Sequence, residues 1–305
     1  MEKNRKKALM IVNPTAGKQE IRAQIFSIIE ALCSEGYQPT VLTTQAKGDC
    51  TEYAKSIASE HDIVVCCGGD GTLNETITGL LDSGNDNVPP IGYIPCGTTN
   101  DMANNLGLPK TIKKAASAVV GGEPYYHDIG RFGDIAYFSY IASFGAFTKV
   151  SYSTPQSVKN VLGHFAYVLN GAMELGNIKS YHVKLSYGSE VIEDDFIYVS
   201  VTNTRSFAGL LSFPDDEVSF QDGLFEVLLI KTPKNVVDVS NILTNISKHN
   251  FNDDKHMVLL HTPEIRVETE EPITWTIDGE QSPEVSSVDI KVIPDKIRIF
   301  RPQSQ

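Results

Sequence analysis

Two spacings of apolar positions alternate along the first 125 residues of the chain. Short apolar or β-rich runs, typical of strands, occur at 8–12, 40–43, 63–67 and 91–94. Segments with the pattern of helices follow these runs, at 21–33, 51–59, 72–81 and 111–120. Strands that alternate with helices predict a parallel sheet with crossover helices, and hence an α/β domain of the nucleotide-binding type.

Beyond residue 128 the pattern changes to β-rich segments separated by turn residues. Strands are predicted at 135–142, 181–187, 196–202, 224–230, 257–261, 264–269, 273–277 and 288–293. Two helices interrupt them, at 157–175 and 235–248. The apolar stripe of the first helix is expected to pack against the sheets or to line part of an apolar ligand cleft. A mainly antiparallel β-sandwich or barrel is the fold that this pattern favours.

The change of pattern also predicts where the chain divides. Gly121-Gly122-Glu123-Pro124 interrupts the α/β pattern, so a boundary is expected between 121 and 128. A chain of 305 residues is long enough for two domains, which we assign to 1–127 and 128–293.

Charge and composition narrow the class of protein. The formal net charge of −12 argues against broad binding of nucleic acid or of an anionic membrane through the average field of the protein. The apolar run 8–12 is too short for a signal sequence or a membrane span, and no later segment is long enough, which favours a cytoplasmic location. Local basic clusters at 4–7 and 110–114 are typical of a solvated chain end and a solvated loop.

The five cysteines support an intracellular protein. Cys66 and Cys67 are adjacent within an apolar run, and neighbours on a strand point to opposite faces of the sheet. This arrangement predicts buried free thiols rather than a disulfide framework. No spacing of cysteine and histidine resembles a zinc site.

Glycine-containing turns follow three strands of the first domain, at the sheet edge where open α/β sheets bind ligands. The first, 13–18, reads Asn-Pro-Thr-Ala-Gly-Lys, in which Thr15 and Lys18 can contact phosphate oxygens, although the spacing is not that of a Walker A loop. The third, 94–101, ends in the carboxylate of Asp101. Ordinary turns that cap a helix would look much the same.

The second turn, 68–72, reads Gly-Gly-Asp-Gly-Thr and joins a strand to a helix. Its exposed backbone N–H groups and the positive end of the helix suit an anion. Asp70 would repel a phosphate unless Mg²⁺ lies between them, directly or through water. A tight turn with Thr72 as the helix N-cap is the simpler alternative. Another carboxylate, Asp128, follows at the predicted boundary in 128–130.

The motifs 13–18, 68–75, 94–101 and 128–130 resemble, in this order, the catalytic domain of the diacylglycerol kinase family. The match is to its soluble bacterial branch, which is related to the sphingosine kinases, and it covers nearly the whole chain. Phosphofructokinases and NAD kinases also have the Gly-Gly-Asp-Gly-Thr motif of 68–72. The motif at 94–101 and the late Asp-Gly-Glu at 278–280 narrow the resemblance to the diacylglycerol kinase family. It implies an α/β nucleotide-binding domain, then a mainly antiparallel β-sandwich domain, with the active site in the cleft between them and residues 294–305 packed back on the first domain.

The resemblance also implies roles for individual residues. The positions that contact ATP in the family are matched here by Asn13, Pro14, Thr15, Ala16, Gly17, Thr44, Gly69, Asp70, Gly71, Thr72, Leu73, Asn74, Glu75 and Thr98. Asp70, Asp101 and Asp128 match the carboxylates that hold Mg²⁺ through a network of water molecules in the family. A second, structural Mg²⁺ falls on the side chain of Asp222 and the carbonyls of Ser219 and Leu224, where the residues alone predict only a hairpin turn.

Asp278 and Glu280 match the catalytic end of the family, with Glu280 as the general base and Asp278 beside it. A kinase that acts on an alcohol needs a base within hydrogen-bond reach of the hydroxyl and cations on the γ-phosphate. Residues two apart on an extended segment face the same side, so both carboxylates are expected together. A polar turn after strand 273–277 is the alternative.

Two departures from the family pattern bear on lipid specificity. Where the family commonly has Arg in the helix after Asn-Asp, this chain has Asn104 and Asn105. Where the family has a fuller glycine run and a Pro-x-Ala, this chain has Phe-Ala-Gly-Leu-Leu at 207–211 and Pro-Asp-Asp at 214–216. The implied reaction is ATP- and Mg²⁺-dependent phosphorylation of the hydroxyl of diacylglycerol to phosphatidic acid, a step of phospholipid biosynthesis.

Alternatives are a kinase for another lipid alcohol, a catalytically silent nucleotide-binding regulator, and an NAD kinase. The other lipids considered are a sphingoid base, phosphatidylglycerol and an undecaprenol-like lipid. Retention of the five carboxylates argues against a silent protein, and the turn 13–18 together with 94–101 argues against an NAD kinase. The expected partner is lipid at the cytoplasmic membrane surface, met transiently through a local apolar or basic rim, and a homodimer is common in the family.

Overall fold

A computed structural model describes residues 5–17, 20–146, 179–204, 206–207, 211–212, 219–251 and 255–302. Lys18, the predicted helix 157–175 and residues 214–216 lie outside the described residues. The chain forms two compact units, one of Met1–Asp128 with Pro294–Gln305 and the other of Ile129–Ile293. No helix of the described residues is long and apolar enough to cross a bilayer.

The first unit is an α/β domain, as the alternating pattern predicts. Its strands are β1 (Lys6–Val12), β2 (Tyr37–Thr43), β3 (Ile63–Gly68) and β4 (Ile91–Pro95). Its helices are α1 (Ile21–Ser34), α2 (Asp49–Ile57), α3 (Asp70–Asp82), α4 (Asp101–Asn105) and α5 (Ile112–Gly121), with a 3₁₀ turn at Ala58–Glu60. The strands run parallel in the order β2-β1-β3-β4, so their carboxyl ends meet at one edge.

Burial on both faces explains why β3, β4 and residues 8–12 of β1 are almost wholly apolar. Residues 8–12 of β1 are at most 1% exposed, because helices cover the sheet. One face packs against the apolar stripes of α1 and α5, which share a core with β1 and β3. The thiols of Cys66 and Cys67 on β3 are buried and free, which confirms the prediction, and burial raises the pKa of both.

The second unit is a mainly antiparallel β structure. Its strands are β5 (Glu123–Phe132, which starts in the first unit), β6 (Ala136–Phe138), β7 (Ile141–Gly145), β8 (Tyr181–Tyr187), β9 (Glu190–Thr202), β10 (Ser206–Phe207), β11 (Leu211–Ser212), β12 (Phe225–Lys231), β13 (Met257–Thr262), β14 (Glu264–Ile277) and β15 (Glu280–Arg301, which ends in the first unit). Antiparallel pairing gives the order β13-β12-β9-β7-β14-β15, with β8 bridging β9 and β14.

Two cores lie on opposite faces of these strands. On one face Trp275 meets Phe132 and Phe144 edge-on, with ring centroids 5.1 Å and 4.7 Å apart. The other face is covered by the single described helix of this unit, α6 (Val236–Ser247), through Val239, Ile242 and Ile246. This helix confirms the prediction of helical spacing over 235–248.

The structure differs from the predicted strands in extent and continuity, as in β9, which begins at Glu190 rather than at 196, and in β15, which begins at Glu280 rather than at 288. The predicted strand 135–142 is broken at Ser139 and Tyr140, because their N–H groups turn toward a side chain rather than a neighbouring strand. The predicted pair 264–269 and 273–277 is one strand, β14, with a shift of register between Glu268 and Ile273. β5 has no predicted counterpart, since its glycine and proline residues obscure the β pattern.

Candidate functional site

The three glycine turns of the first unit contact one another through their backbones. A Cβ added to Gly17 would lie 2.2 Å from the carbonyl oxygen of Cys96, and one added to Gly97 would lie 2.7 Å from Cα of Gly69. Gly17 also has φ of +52°, in the left-handed region. Only glycine leaves room for this approach, so the three turns pack against one another at the carboxyl edge of the sheet.

Asn13 connects the first turn to the second. Its amide nitrogen donates to Oγ1 of Thr72 at 3.2 Å, and its own side-chain oxygen accepts from N and Oγ1 of Thr15 at 3.0 and 2.9 Å. Thr72 is buried within α3, which begins at Asp70 with Gly69 as its N-cap. The alternative in which Thr72 caps the helix is therefore wrong, because the helix begins three residues earlier than that alternative requires.

Asp70 connects the second turn to the third. Its carboxylate accepts from the backbone N–H groups of Asp101 at 3.0 Å and Met102 at 3.2 Å, at the start of α4. The hydroxyl of Tyr93 donates to it at 3.5 Å. Asn100, not Asp101, precedes α4 as its N-cap, with φ of +53° and its side chain bonded in both directions to Gly97.

The two carboxylates of this junction make it electrostatically strained. Burial raises the pKa of Asp70, and burial together with the charge of Asp70 raises the pKa of Asp101 to about 6. A divalent cation would relieve both effects. Mg²⁺ is usually held by one or two carboxylates together with phosphate oxygens and water, so the donor set of Asp70 and Asp101 fits this ion.

The other predicted ATP residues occupy different environments. Pro14, Ala16 and Thr44 are half-buried, Gly71 and Thr98 are exposed, and Asn74 is half-buried on α3. Leu73 is packed in the core, and its N–H donates to the carbonyl of Gly69. The carboxylate of Glu75 accepts from the N–H of Gly48 at 3.1 Å, which attaches α3 to the start of α2.

A cavity of about 330 Å³ opens beside the turns. Gly17 and Thr98, both predicted ATP contacts, line it, and Lys110 and Thr111 from the start of α5 face them. The sequence predicts a solvated loop at 110–114 and does not indicate that Lys110 lines a cavity beside the turns. The signal that it lacked is tertiary, because only the fold brings the residue before α5 to the third turn.

The remaining metal assignments stay predictions. In the second unit, the N–H of Leu224 donates to Oδ1 of Asp222 at 3.1 Å, and Gly223 has φ of +73°, which is the turn that the residues alone predict. Ser219 is half-buried and Asp222 is exposed. Asp128 is buried on β5. Among the described residues no three Asp, Glu, His or Cys side chains cluster as they would around a metal ion.

Asp278 and Gly279 form a tight hairpin turn between β14 and β15. Their φ values are +44° and +90°, as a two-residue hairpin turn requires, and Ile277 pairs directly with Glu280. The expectation that 278–280 is extended, with both carboxylates on one side, is therefore wrong. The polar-turn alternative holds instead, because Asp-Gly readily adopts the positive φ angles of this turn.

The carboxylate of Asp278 binds backbone rather than solvent. It accepts from the N–H groups of Ser139 at 2.5 Å, Tyr140 at 3.1 Å and Ile141 at 3.1 Å, and its own N–H donates to the carbonyl of Ile141 at 2.9 Å. These are the residues at which the predicted strand 135–142 breaks. Asp278 thus fixes the turn that presents Glu280, which is exposed at the first position of β15.

Comparison with known proteins decides the family. Residues 7–132 match the model of the diacylglycerol kinase catalytic domain, and residues 141–301 match that of the YegS C-terminal NAD kinase beta sandwich-like domain. A diacylglycerol kinase of Bacillus subtilis (strain 168) is 32% identical over 277 residues, which cover 90% of each chain. The chain belongs to the diacylglycerol kinase catalytic-domain family. As a member of that family it is a lipid kinase.

Further relatives of this family extend the match to nearly the whole length. A diacylglycerol kinase of Staphylococcus epidermidis is 29% identical over 300 residues, covering 98% of this chain and 93% of its own. A crystal structure from Bacillus anthracis str. Sterne covers 98% of both chains with a TM-score of 0.80 at 25% identity. The fold of this diacylglycerol kinase family member is thus the α/β catalytic domain followed by the β sandwich-like domain.

Proposed function

We propose that the protein transfers the γ-phosphate of ATP to the free hydroxyl of diacylglycerol, giving phosphatidic acid and ADP. The observation that carries the proposal is the bonding of the Asp70 carboxylate to the N–H groups of Asp101 and Met102. That contact joins the second and third turns and brings two carboxylates together beside the start of α3, at one edge of a parallel sheet, where a nucleotide polyphosphate with its cation fits.

The nucleotide would bind to the first unit. Backbone N–H groups at the start of α3, in the turn 68–72, suit its phosphates, and Lys110 adds a positive charge in the adjoining cavity. Asp70 and Asp101 would hold Mg²⁺, which neutralises charge that develops on the transferred phosphoryl group.

Glu280 would act as the general base. It would accept the proton of the lipid hydroxyl as the hydroxyl oxygen bonds to the γ-phosphorus and the bond from phosphorus to the β,γ-bridging oxygen breaks. Asp278, whose carboxylate accepts from three backbone N–H groups, would be a positioning residue for the turn rather than a second proton carrier. This assignment replaces the catalytic role that the sequence predicts for it.

Diacylglycerol is proposed as acceptor because relatives that match 90% or more of this chain are named diacylglycerol kinase. The reaction would take place at the cytoplasmic face of a membrane, where that lipid and ATP meet. Another lipid alcohol in the same position would use the same base and nucleotide site, so the identity of the acceptor is a matter for the assay.

Transfer of labelled phosphate from Mg·ATP to diacylglycerol in mixed micelles tests the proposal. We expect phosphatidic acid from the native protein and a fall in kcat of about 10²–10⁴ for Glu280→Gln. Product from both proteins would retain the kinase and remove Glu280 as base. ATP binding without product would reject diacylglycerol, and a panel of other lipid alcohols would then identify the acceptor.

A further inference from the structure

The cavity beside the glycine turns and the helix α3 lie on opposite sides of the first unit's sheet. Neighbouring positions of β3 show the two sides, because Cys67 is packed in the core shared with α1 and α5, whereas Sγ of Cys66 lies 3.6 Å from Oγ1 of Thr76 on α3. The cavity is lined by residues at the starts of α1 and α5. A ligand that extends from the N-terminus of α3 into the cavity therefore crosses the carboxyl edge of the sheet.

The third turn is thin where this crossing takes place. Gly97 lines the cavity, and a Cβ added to it would lie 2.7 Å from Cα of Gly69, the N-cap of α3. The backbone of one glycine thus packs directly on the other between the cavity and the start of the helix. The proposed function places the phosphates and their cation beside Asp70, at the start of α3, which leaves the cavity to the nucleoside end of the same molecule.

The side chain of Glu20 faces the cavity without a partner of its own. It is the N-cap residue of α1, yet its carboxylate forms no capping hydrogen bond, and within the described part of the chain no lysine or arginine forms an ion pair with it. Burial and then the charge of Glu20 raise the pKa of the Cys96 thiol to about 12, so the carboxylate lies near a thiol that also lines the cavity.

The chemistry of this lining suits a neutral group that is rich in hydroxyls. A carboxylate repels phosphate but accepts hydrogen bonds from two hydroxyl groups at once. Gln24, one helical turn after Glu20, adds an amide that can both donate and accept. In dinucleotide sites of α/β sheets an acidic side chain binds a ribose hydroxyl in the same way.

We infer that Glu20 binds the ribose 2′- and 3′-hydroxyls of ATP, and so makes the protein select ribonucleotides. The inference rests on the proposed function, which places the phosphates of ATP at the start of α3. Lys110, which lines the cavity from the residues before α5, is then available to the phosphate that adjoins the ribose.

Other occupants fit the cavity less well. Its volume of about 330 Å³ and its mainly polar lining, in which Pro95 and Ile112 are the apolar side chains, do not suit an acyl chain. A metal ion would meet the single carboxylate of Glu20 together with the ammonium group of Lys110, which repels cations. A free phosphate would meet the same lysine, but with the carboxylate of Glu20 opposing it.

Calorimetric titration of the full chain, with Mg²⁺ and without lipid, tests the inference. The two ligands are ATP and 2′,3′-dideoxy-ATP, which lacks both hydroxyls. The variants are Glu20→Ala, which removes the acceptor, and Glu20→Gln, which keeps one acceptor oxygen. Glu30→Ala is the control, because Glu30 is an exposed carboxylate of the same helix, lies outside the lining of the cavity and changes the net charge equally.

We expect the native chain to bind ATP at least about tenfold more tightly than the dideoxy nucleotide, since hydrogen bonds to a charged acceptor are strong. Glu20→Ala should bring the two affinities within about twofold of each other, Glu20→Gln should lie between, and Glu30→Ala should keep the native ratio. The ratio within one protein cancels any general effect of the lost charge on nucleotide binding.

Three results would overturn the inference. They are equal binding of both nucleotides by the native chain, a native ratio in Glu20→Ala, and a ratio that falls as far in Glu30→Ala as in Glu20→Ala. The last would mean that the charge of α1 acts through the overall field and not through a contact with the ribose.

The titration also separates this inference from the proposed function. ATP binding without any preference for the ribose hydroxyls, together with phosphatidic acid in the micelle assay, would reject the role of Glu20 and leave the kinase. A preference that depends on Glu20 in a chain that makes no phosphatidic acid would reject the proposed acceptor and leave the ribose contact. A native chain that binds no ATP would overturn both.

Discussion

At the scale of single residues, the space around the glycines decides whether the nucleotide turns can form. For Gly97→Ala, the new Cβ would lie 2.7 Å from both Cα of Gly69 and Oδ1 of Asn100. We expect a loss of about 1–3 kcal/mol in the free energy of unfolding and at least tenfold weaker ATP binding, measured by denaturant titration and calorimetry. Gly121→Ala, with nothing within 4 Å, is the control and should be neutral or slightly stabilising. Equal ATP affinity in both variants would contradict the packed turns.

Charge, rather than space, gives Lys110 its importance. For Lys110→Gln we expect the KM for ATP to rise about tenfold with kcat nearly unchanged, because a contact made equally in ground and transition states affects binding alone. Lys113→Gln, on α5 and outside the lining of the cavity, should behave as the native protein. The same KM in both variants would mean that Lys110 does not contact ATP and belongs to the solvated loop that the sequence predicts.

At the scale of elements, the hairpin between β14 and β15 separates positioning from proton transfer. For Asp278→Asn, one carboxylate oxygen becomes an NH₂ group that faces backbone donors, so kcat and the free energy of unfolding should fall together. For Glu280→Gln, an exposed change, kcat should fall while unfolding shifts by less than about 0.5 kcal/mol. The KM for ATP should stay unchanged in both. A fully stable but inactive Asp278→Asn would mean that Asp278 has a direct chemical role.

The N-terminus of α6 depends on its cap. For Asn235→Ala, the N–H of Asp238 loses its acceptor, and we expect a loss of about 1 kcal/mol in the free energy of unfolding, read from the urea midpoint. Asn241→Ala, at an exposed position of the same helix, is the matched control and should be neutral or slightly stabilising. Equal stability of the two variants would mean that the cap contributes nothing to α6.

At the scale of the whole molecule, the first unit is built from two distant pieces of the chain. The end of β15 belongs to it, pairs Ile299 with Ile91 of β4, and buries Ile297 and Ile299 completely. Arg298 donates to the carbonyl of Val88 at 2.9 Å, and Lys296 lies 3.3 Å from Asp86. The nucleotide-binding unit therefore depends on residues that follow the second unit in the sequence.

Ending the chain after Ile293 tests this dependence. Each buried isoleucine is worth about 1.5–3 kcal/mol, a large share of the roughly 5–15 kcal/mol that stabilise a domain. We expect the shortened chain to lose ATP binding in calorimetry, although every predicted ATP contact precedes residue 99. A chain that ends after Pro302 is the control. Native ATP affinity in the shorter chain would contradict this prediction, because it would show that β4 holds its place as an edge strand without β15.

Local patterns were enough to predict many of the elements. The apolar runs of β1, β3 and β4 and the helical spacing of α1 and α6 are properties of a few consecutive residues, so the sequence contains them. The glycine turns could be located for the same reason, because a glycine at the end of a strand signals a special backbone. The extent of β14 and the strand β5 were missed, since turn residues within them obscure the period.

The sequence by itself determined the order of strands and helices, the places where the backbone turns tightly, and the motifs that resemble the family. Only the tertiary structure decided which groups meet: Asp278 with the N–H groups of Ser139 to Ile141, Asp70 with α4, and Lys110 with the third turn. The physical reason is that periodicity is local, whereas contacts between residues that are not neighbours in the sequence, such as Asp278 and Ser139, exist only once the elements have paired and packed.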